Sequence, residues 1–382
     1  MNANMDTKTN IPNNSYLLID LNTLRRNAHG ILAELSPGQE LIPVLKDDAY
    51  GLGLIQVAET LCELPEIRML AVAHVSEGLA LRNAGIDKEI LVMGAALPFQ
   101  FEAAIDAGLT LACPRPGFAE ELAATARTMK KKAKIQIKID TGLHRIGLEP
   151  DELDAFAAEL MDCREELIVT GAFSHFSDMA SPVLDQTEYS AFLSALDKLV
   201  RAGIKIPQRH MACSAVLERY AQHDYNMDAV RIGRRLYMDS PDRPDGSIRE
   251  VASLRSYITQ IRQRRAGDRL GYGGTVTLER DTLVATVGIG YGDGLNQALF
   301  QIQAPVLVSG KRCRMLTTCM DQCMIDITGL SCQVGDEVTF FGYDQNGVFL
   351  SSQEIASLIG GDEGCGLTSA LLPRVARIYV DE

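Results

Sequence analysis

The chain has 382 residues, with 37 Lys and Arg against 50 Asp and Glu, a formal net charge of −13. Such a length is ample for two or three domains with a large core, and the acidic balance argues against nucleic acid or an anionic membrane as partner. No apolar run approaches the roughly 20 residues of a membrane span, and nine cysteines without a CxxC pair suit reduced thiols in a cytoplasmic protein better than a disulfide framework.

The opening MNANMDTKTNIPN is polar and lacks the apolar heart of a secretory signal; a disordered leader over residues 1–13 is expected. From 14 to 245, short apolar runs alternate with amphipathic stretches. The runs are LIPVLK (41–46), MLAVAH (69–74), EILVMGA (89–95), LTLACP (109–114), KIQIKID (134–140), LIVTGAFSHF (167–176), RHMACS (209–214) and AVRIG (229–233). Between them, PDELDAFAAELM (150–161) carries Leu153, Phe156, Ala157 and Leu160 at the i, i+3, i+4, i+7 spacing of a helix with one buried face. Strand–helix alternation repeated about eight times predicts an α/β fold, a (β/α)8 TIM-type barrel over 14–245. The rival, a doubly wound open sheet, needs GxGxxG after its first strand, and KDDAYGLG (46–53) is not that.

After about residue 245 the texture changes. DTLVATVGIGYGDG (281–294), APVLVSGKRCRM (304–315), CMIDIT (323–328) and DEVTFFGY (336–343) are β-branched runs punctuated by glycine. They predict a separate, mostly antiparallel β domain over 246–382. YLLID (16–20) is a candidate to pair with that domain rather than with the barrel.

Barrel chemistry sits at the C-terminal ends of the strands. Those ends carry Lys46, His74, Asp140, His175, Ser214, and Arg231 with Gly233. There are neither carboxylates paired at glycosidase spacing nor a three-ligand metal cluster, so no metal is expected. A lysine beside a phosphate-type pocket suggests a carbonyl cofactor held as a Schiff base, and pyridoxal 5'-phosphate is the commonest of these.

On these residues the chain resembles the alanine racemase family over nearly its whole length. VLKDDAYGLG (44–53) is similar to the family's cofactor-lysine motif. KIDTGLHRIG (138–147), FSHFSDM (173–179), HMACSA (210–215), VRIGRRLY (230–237), LGYGG (270–274), GYGDG (290–294) and CMDQCMID (319–326) follow in the family's order. Each block alone is weak; their order and spacing together are specific.

The resemblance implies a pyridoxal-phosphate-dependent racemase interconverting L- and D-amino acids, alanine by default, with Lys46 carrying the cofactor. Lys46 and Tyr272 would be the two acid/base groups. Tyr272 would come from a partner subunit, so that the active sites of a homodimer are shared. His175, Arg231 and His210 would form a hydrogen-bond chain behind that tyrosine, with Arg231 facing the cofactor's ring nitrogen. Tyr50, Ser214, Gly233 and Arg234 would hold the phosphate, successive backbone N–H groups forming an anion nest. Arg145 would contact the ring hydroxyl and the substrate carboxylate, and Met320 would offer its backbone N–H to that carboxylate. Tyr291 and Asp321 would shape the entrance. Lys138 is carbamylated in many relatives and would then orient Arg145. Plainer readings stand beside these: Ser214 as a helix N-cap, Lys138 as an ordinary strand lysine, GYGG as a hairpin turn.

The chain also departs from the family. Cys213 replaces the usual asparagine before the phosphate serine, and Gly361 or Cys365 stands where a tyrosine gate is usual. Asp47 and Asp48 lie beside the cofactor lysine. These departures predict a wider pocket with a weaker phosphate grip, and hence a serine or broad-specificity racemase as the alternative; a separate alternative, from another class, is a cofactor-binding protein with little catalysis. Lacking the β domain, such binding proteins have no counterpart of Tyr272.

Overall fold

The computed structural model describes residues 13–178, 181–219, 224–238, 248–361 and 364–381. Nearly all of the expected leader lies outside them, as does Met179 of the FSHFSDM block. The chain divides into two compact units: Asn27–Ala49 with Leu54–Leu236, and the stretch up to Arg26 with Tyr50–Gly53 and everything from Tyr237 onward.

The first strand, β1 (Ser15–Asp20), belongs to the second unit. All eight apolar runs of the first unit are strands: β2 (Glu40–Pro43), β3 (Met69–Val72), β4 (Glu89–Val92), β5 (Thr110–Cys113), β6 (Ala133–Lys138), β7 (Leu167–Phe173), β8 (Arg209–His210) and β9 (Ala229–Ile232). β3 to β8 form one parallel sheet in chain order, and β2 pairs in parallel with β9. Parallel bridges Val44–Ala71 and Cys213–Arg231 join these pieces into a closed ring, a (β/α)8 barrel. Every residue of β3, β5 and β9 is buried, as parallel strands covered on both faces require. The predicted stripe on the helix Leu153–Asp162 is the one that is buried: Leu153, Phe156, Ala157 and Leu160.

The second unit is antiparallel. Its strands are β10 (Ala252–Arg264), β11 (Arg269–Leu270), β12 (Val276–Thr277), β13 (Thr282–Val287), β14 (Pro305–Val308), β15 (Lys311–Thr318), β16 (Cys323–Asp326), β17 (Glu337–Tyr343), β18 (Phe349–Leu350) and β19 (Ala376–Val380). β10, β13, β16, β15, β14 and β17 pair in that order, and β17 returns to β10, so this sheet closes on itself. Closure leaves those strands without a free edge. β1 pairs with β10 in antiparallel fashion and with β19 in parallel, so YLLID joins this unit, as expected. None of the nine cysteines forms a disulfide, and no described helix is long and apolar enough to cross a membrane.

Candidate active site

In the barrel unit, Lys46 follows the fully buried Leu45 at the C-terminal end of β2. The next four residues, Asp47, Asp48, Ala49 and Tyr50, all have φ between 52° and 58°. A run of non-glycine residues in the left-handed region costs about 1–2 kcal/mol per residue, so it needs neighbours that hold it. The Glu77 carboxylate does so: it accepts from the N–H groups of Asp47 (2.7 Å), Ala73 (2.8 Å) and His74 (3.0 Å). The Ala49 N–H donates to the Leu45 carbonyl at 2.9 Å, and Asp48 Oδ1 accepts from the Leu54 N–H at 2.7 Å. His74, one of the strand-end candidates, is exposed and contributes its backbone here.

Arg231, on β9, is the hub of the barrel mouth. Its guanidinium is buried, and burial lowers it to about 10. Nη1 donates to His210 Nδ1 (2.6 Å) and to the His210 carbonyl (3.1 Å). Nη2 donates to the carbonyls of Ser174 (2.7 Å) and Met211 (3.3 Å) and to His175 Nδ1 (3.1 Å). An arginine cannot accept, so both histidines present a bare Nδ1 to it. Burial drives both imidazoles to the neutral form. His175 falls to about 3, with Arg231, Lys138, Arg145 and Lys46 adding to burial. His210 is held well below its usual value by burial, Arg231 and Lys138. With Nδ1 bare and the ring neutral, His175 keeps its proton on Nε2, as a donor. The Arg231 Nε–H has no protein partner among the described residues, which leaves one fixed donor for a ligand atom with a lone pair, such as a pyridine nitrogen.

Phe173 is the platform under this cluster. His210 stacks on it (5.2 Å, 8°), and Arg231 and the Lys138 amine lie 5.3 and 5.6 Å from its centroid. Lys138 is buried and donates to the Ile139 carbonyl at 2.7 Å. Burial and the nearby Arg231 and Arg145 lower its amine to about 7, against the pull of Asp140. Asp140 Oδ1 accepts from the N–H groups of Gly142 (3.0 Å) and His144 (3.1 Å), shaping the loop that carries Arg145. Arg145 is exposed and makes no hydrogen bond among the described residues.

Ser214 opens the helix Ser214–Arg219, and Gly233 precedes the helical turn Arg234–Tyr237; the Arg235 N–H reaches Ser214 Oγ at 3.4 Å, tying the two together. Arg234 is paired with Glu218. Cys213 immediately precedes the helix Ser214–Arg219, and burial pushes its thiol above its ordinary value.

In the second unit, the Tyr50 ring packs on Tyr237 with centroids 5.2 Å apart. Tyr272 lies in the turn Tyr272–Gly274, and its side chain is 68% exposed. Arg269 braces that turn through the carbonyls of Gly274 and Gly273, both at 2.9 Å. Met320, at the tip between β15 and β16, is 56% exposed, and its N–H makes no hydrogen bond among the described residues. The loop carrying Tyr291 is pinned to that tip by Tyr291 N–H to the Cys319 carbonyl (3.1 Å) and Gly292 N–H to the Met320 carbonyl (2.7 Å). A side chain on Gly290 would come within 2.3 Å of the Cys319 carbonyl. Asp321, next along, is exposed. Cys365 opens the short helix Cys365–Ser369, and Gly361 lies four residues before it; neither supplies a ring or a hydroxyl.

Sequence reasoning missed Glu77, Gln136 and Gln208. Glu77 has one sequence signal, its place three residues into the helix Val75–Asn83, where carboxylates cap helices; nothing in the sequence shows its reach to Asp47.

The family model "Alanine racemase, N-terminal domain" matches residues 19–241, and "Alanine racemase, C-terminal domain" matches 251–379. An alanine racemase of Desulforamulus reducens is 32% identical over 373 residues, covering 95% of this chain and 98% of that protein. The alanine racemase of a D-cycloserine-producing Streptomyces lavendulae superposes with a TM-score of 0.91 at 27% identity, covering 97% of this chain and 98% of that one. That of Bartonella henselae, with covalently bound pyridoxal phosphate, superposes with a TM-score of 0.86 at 23% identity, covering 97% and 100%. By these matches and the barrel-mouth chemistry, the chain belongs to the alanine racemase family, isomerases that racemise amino acids.

Proposed function

We propose that the chain is a pyridoxal-phosphate-dependent alanine racemase that works with two bases, Lys46 and Tyr272. The observation that carries this reading is the buried Arg231, wedged between two neutral histidines with its Nε–H still to give. The residues present fit the cofactor. Lys46 offers the amine for covalent attachment. Arg231 offers a donor that keeps its proton, suited to an unprotonated ring nitrogen. Ser214, Gly233, Arg234 and Tyr50 would hold the phosphate. When bound, the cofactor would withdraw electron density from the substrate Cα and make its hydrogen acidic.

Racemisation needs one group to remove a proton from one face of that carbon and a second to return one to the other face. Lys46 takes the first role for one enantiomer and Tyr272, from the partner of a homodimer, takes it for the other. His175, with its proton on Nε2, would donate to the phenol oxygen. Arg145, otherwise unengaged, and the Met320 N–H would orient the substrate carboxylate. Tyr291 and Asp321 would frame the entrance.

The test is to load the purified protein with pyridoxal phosphate and follow the loss of optical rotation of a panel of L-amino acids, alanine and serine included. Alanine is expected to turn over fastest. A preference for serine would favour the wide-pocket reading, which a small residue at the gate position, Gly361 or Cys365, would fit. Tyr272→Phe is expected to keep the cofactor's absorbance and to lose nearly all turnover in both directions, because both pass through the same two proton transfers and the equilibrium constant is one; unchanged rates would rule out the tyrosine as a base.

A further inference from the structure

We infer that Glu40, Gln208 and Gln136 form a polarised hydrogen-bond relay that fixes the tautomer of His210, and that Gln136 is thereby a positioning residue for Arg231. The relay starts at the N-terminal end of β2, where Glu40 lies 3.1 Å from Arg68. Glu40 Oε2 accepts from Gln208 Nε2 at 2.9 Å, and Gln208 Oε1 accepts from Gln136 Nε2 at 3.2 Å. Gln136 Oε1 lies 2.7 Å from His210 Nε2, and His210 Nδ1 lies 2.6 Å from Arg231 Nη1. It ends at the mouth of the barrel.

The two ends decide the direction. An ionised carboxylate only accepts and a guanidinium only donates. Glu40 therefore turns the amide nitrogen of Gln208 toward itself and its oxygen toward Gln136. That oxygen in turn draws the Gln136 nitrogen, so the Gln136 oxygen faces His210. His210 must donate there from Nε2, and its Nδ1 is free to accept from Arg231. Starting instead from Arg231 gives the same orientations, so every link of the chain joins a donor to an acceptor. Gln136 is fully buried, and so is His210. Without the Gln136 oxygen, the imidazole N–H would be left unsatisfied in the interior, a loss that a ring flip or a change of tautomer would relieve at the expense of the bond to Arg231. Glu40 and Gln208 thus act on the barrel mouth from the opposite end of the barrel, where side chains ordinarily serve stability alone.

The kinetic consequence rests on the racemase reading; the tautomer does not. The test is nitrogen NMR of the cofactor-loaded protein with 15N-labelled histidine, only six histidines being present, with His210 assigned from His210→Asn. His210 is expected as the neutral Nε2–H form. Gln136→Leu is expected to abolish that single signature and to lower kcat roughly tenfold with KM nearly unchanged. Glu40→Gln, which preserves shape at a partly exposed position, is expected to broaden the His210 signals and lower kcat less. An Nδ1–H or imidazolium His210 in the wild type overturns the relay, and so do variants that change thermal stability alone while spectrum and kcat stay put. If the wild-type protein racemises nothing, the functional reading fails while the spectra still decide the relay.

Discussion

Lys138 carries a charge where the barrel can least accommodate one. Its amine is lowered to about 7 chiefly by burial, whereas an unfolded lysine titrates near ~10.4. Between those values the unfolded chain holds a proton that the folded chain has released. Stability therefore rises as pH climbs through that window, and the cost of the buried ammonium is complete below about 7. Lys138→Met, compared with the wild type by urea unfolding from about pH 6 to 9, is expected to be the more stable protein at the acid end, the gap shrinking as pH rises. A carbamate on Lys138 would reverse the sign: the variant would then be the weaker one, and bicarbonate would widen the difference. At this scale the sequence revealed charged and aromatic residues embedded in recognisable blocks, among them Lys46, Arg231 and His175. It did not reveal Gln136 or Gln208, because an amide in an apolar strand carries no signal until its partner, 72 residues away for this pair, is brought beside it.

The turn after Lys46 belongs to the scale of the element. Its left-handed run is the opposite of what KDDAY would adopt alone, and across four residues it costs roughly 4–8 kcal/mol. Local propensity is overruled here by the Glu77 carboxylate and by the packing of Ala49, which is fully buried. Asp47 is exposed and uses its backbone N–H in this contact. Asp47→Gly is therefore expected to raise stability by about 0.5–1 kcal/mol, relief of the backbone outweighing the glycine's greater freedom when unfolded. Glu77→Ala should cost about 2–3 kcal/mol, since it strips a charged acceptor from three amides. It should also slow the attachment of pyridoxal phosphate to Lys46, read as slower growth of cofactor absorbance. Attachment at the wild-type rate in a destabilised variant would show that Glu77 serves only as a helix cap.

At the scale of the molecule, the strand runs and the glycine-punctuated second half were enough to read the architecture, because a parallel barrel needs buried β runs at regular spacing and an antiparallel domain does not. By pattern alone the six-residue strand of YLLID, with four buried or half-buried apolar positions, suits either sheet; its pairing with the long β10 places it in the second unit, the side the sequence reading favoured. Assembly is the remaining property at this scale. Tyr272 and Met320 are exposed while hydrogen bonds brace the loops that carry them, which is consistent with the role proposed for them above. If Lys46 and Tyr272 act across a two-fold interface, Lys46→Ala and Tyr272→Phe chains each form only dead homodimers. A mixed dimer would have one site carrying both substitutions and one carrying neither. Refolding the two together at equal amounts should give random pairing, with half of the dimers mixed, and should therefore restore about a quarter of wild-type activity. A site built within one subunit would give no recovery at any ratio, because every subunit would then lack one of its two bases.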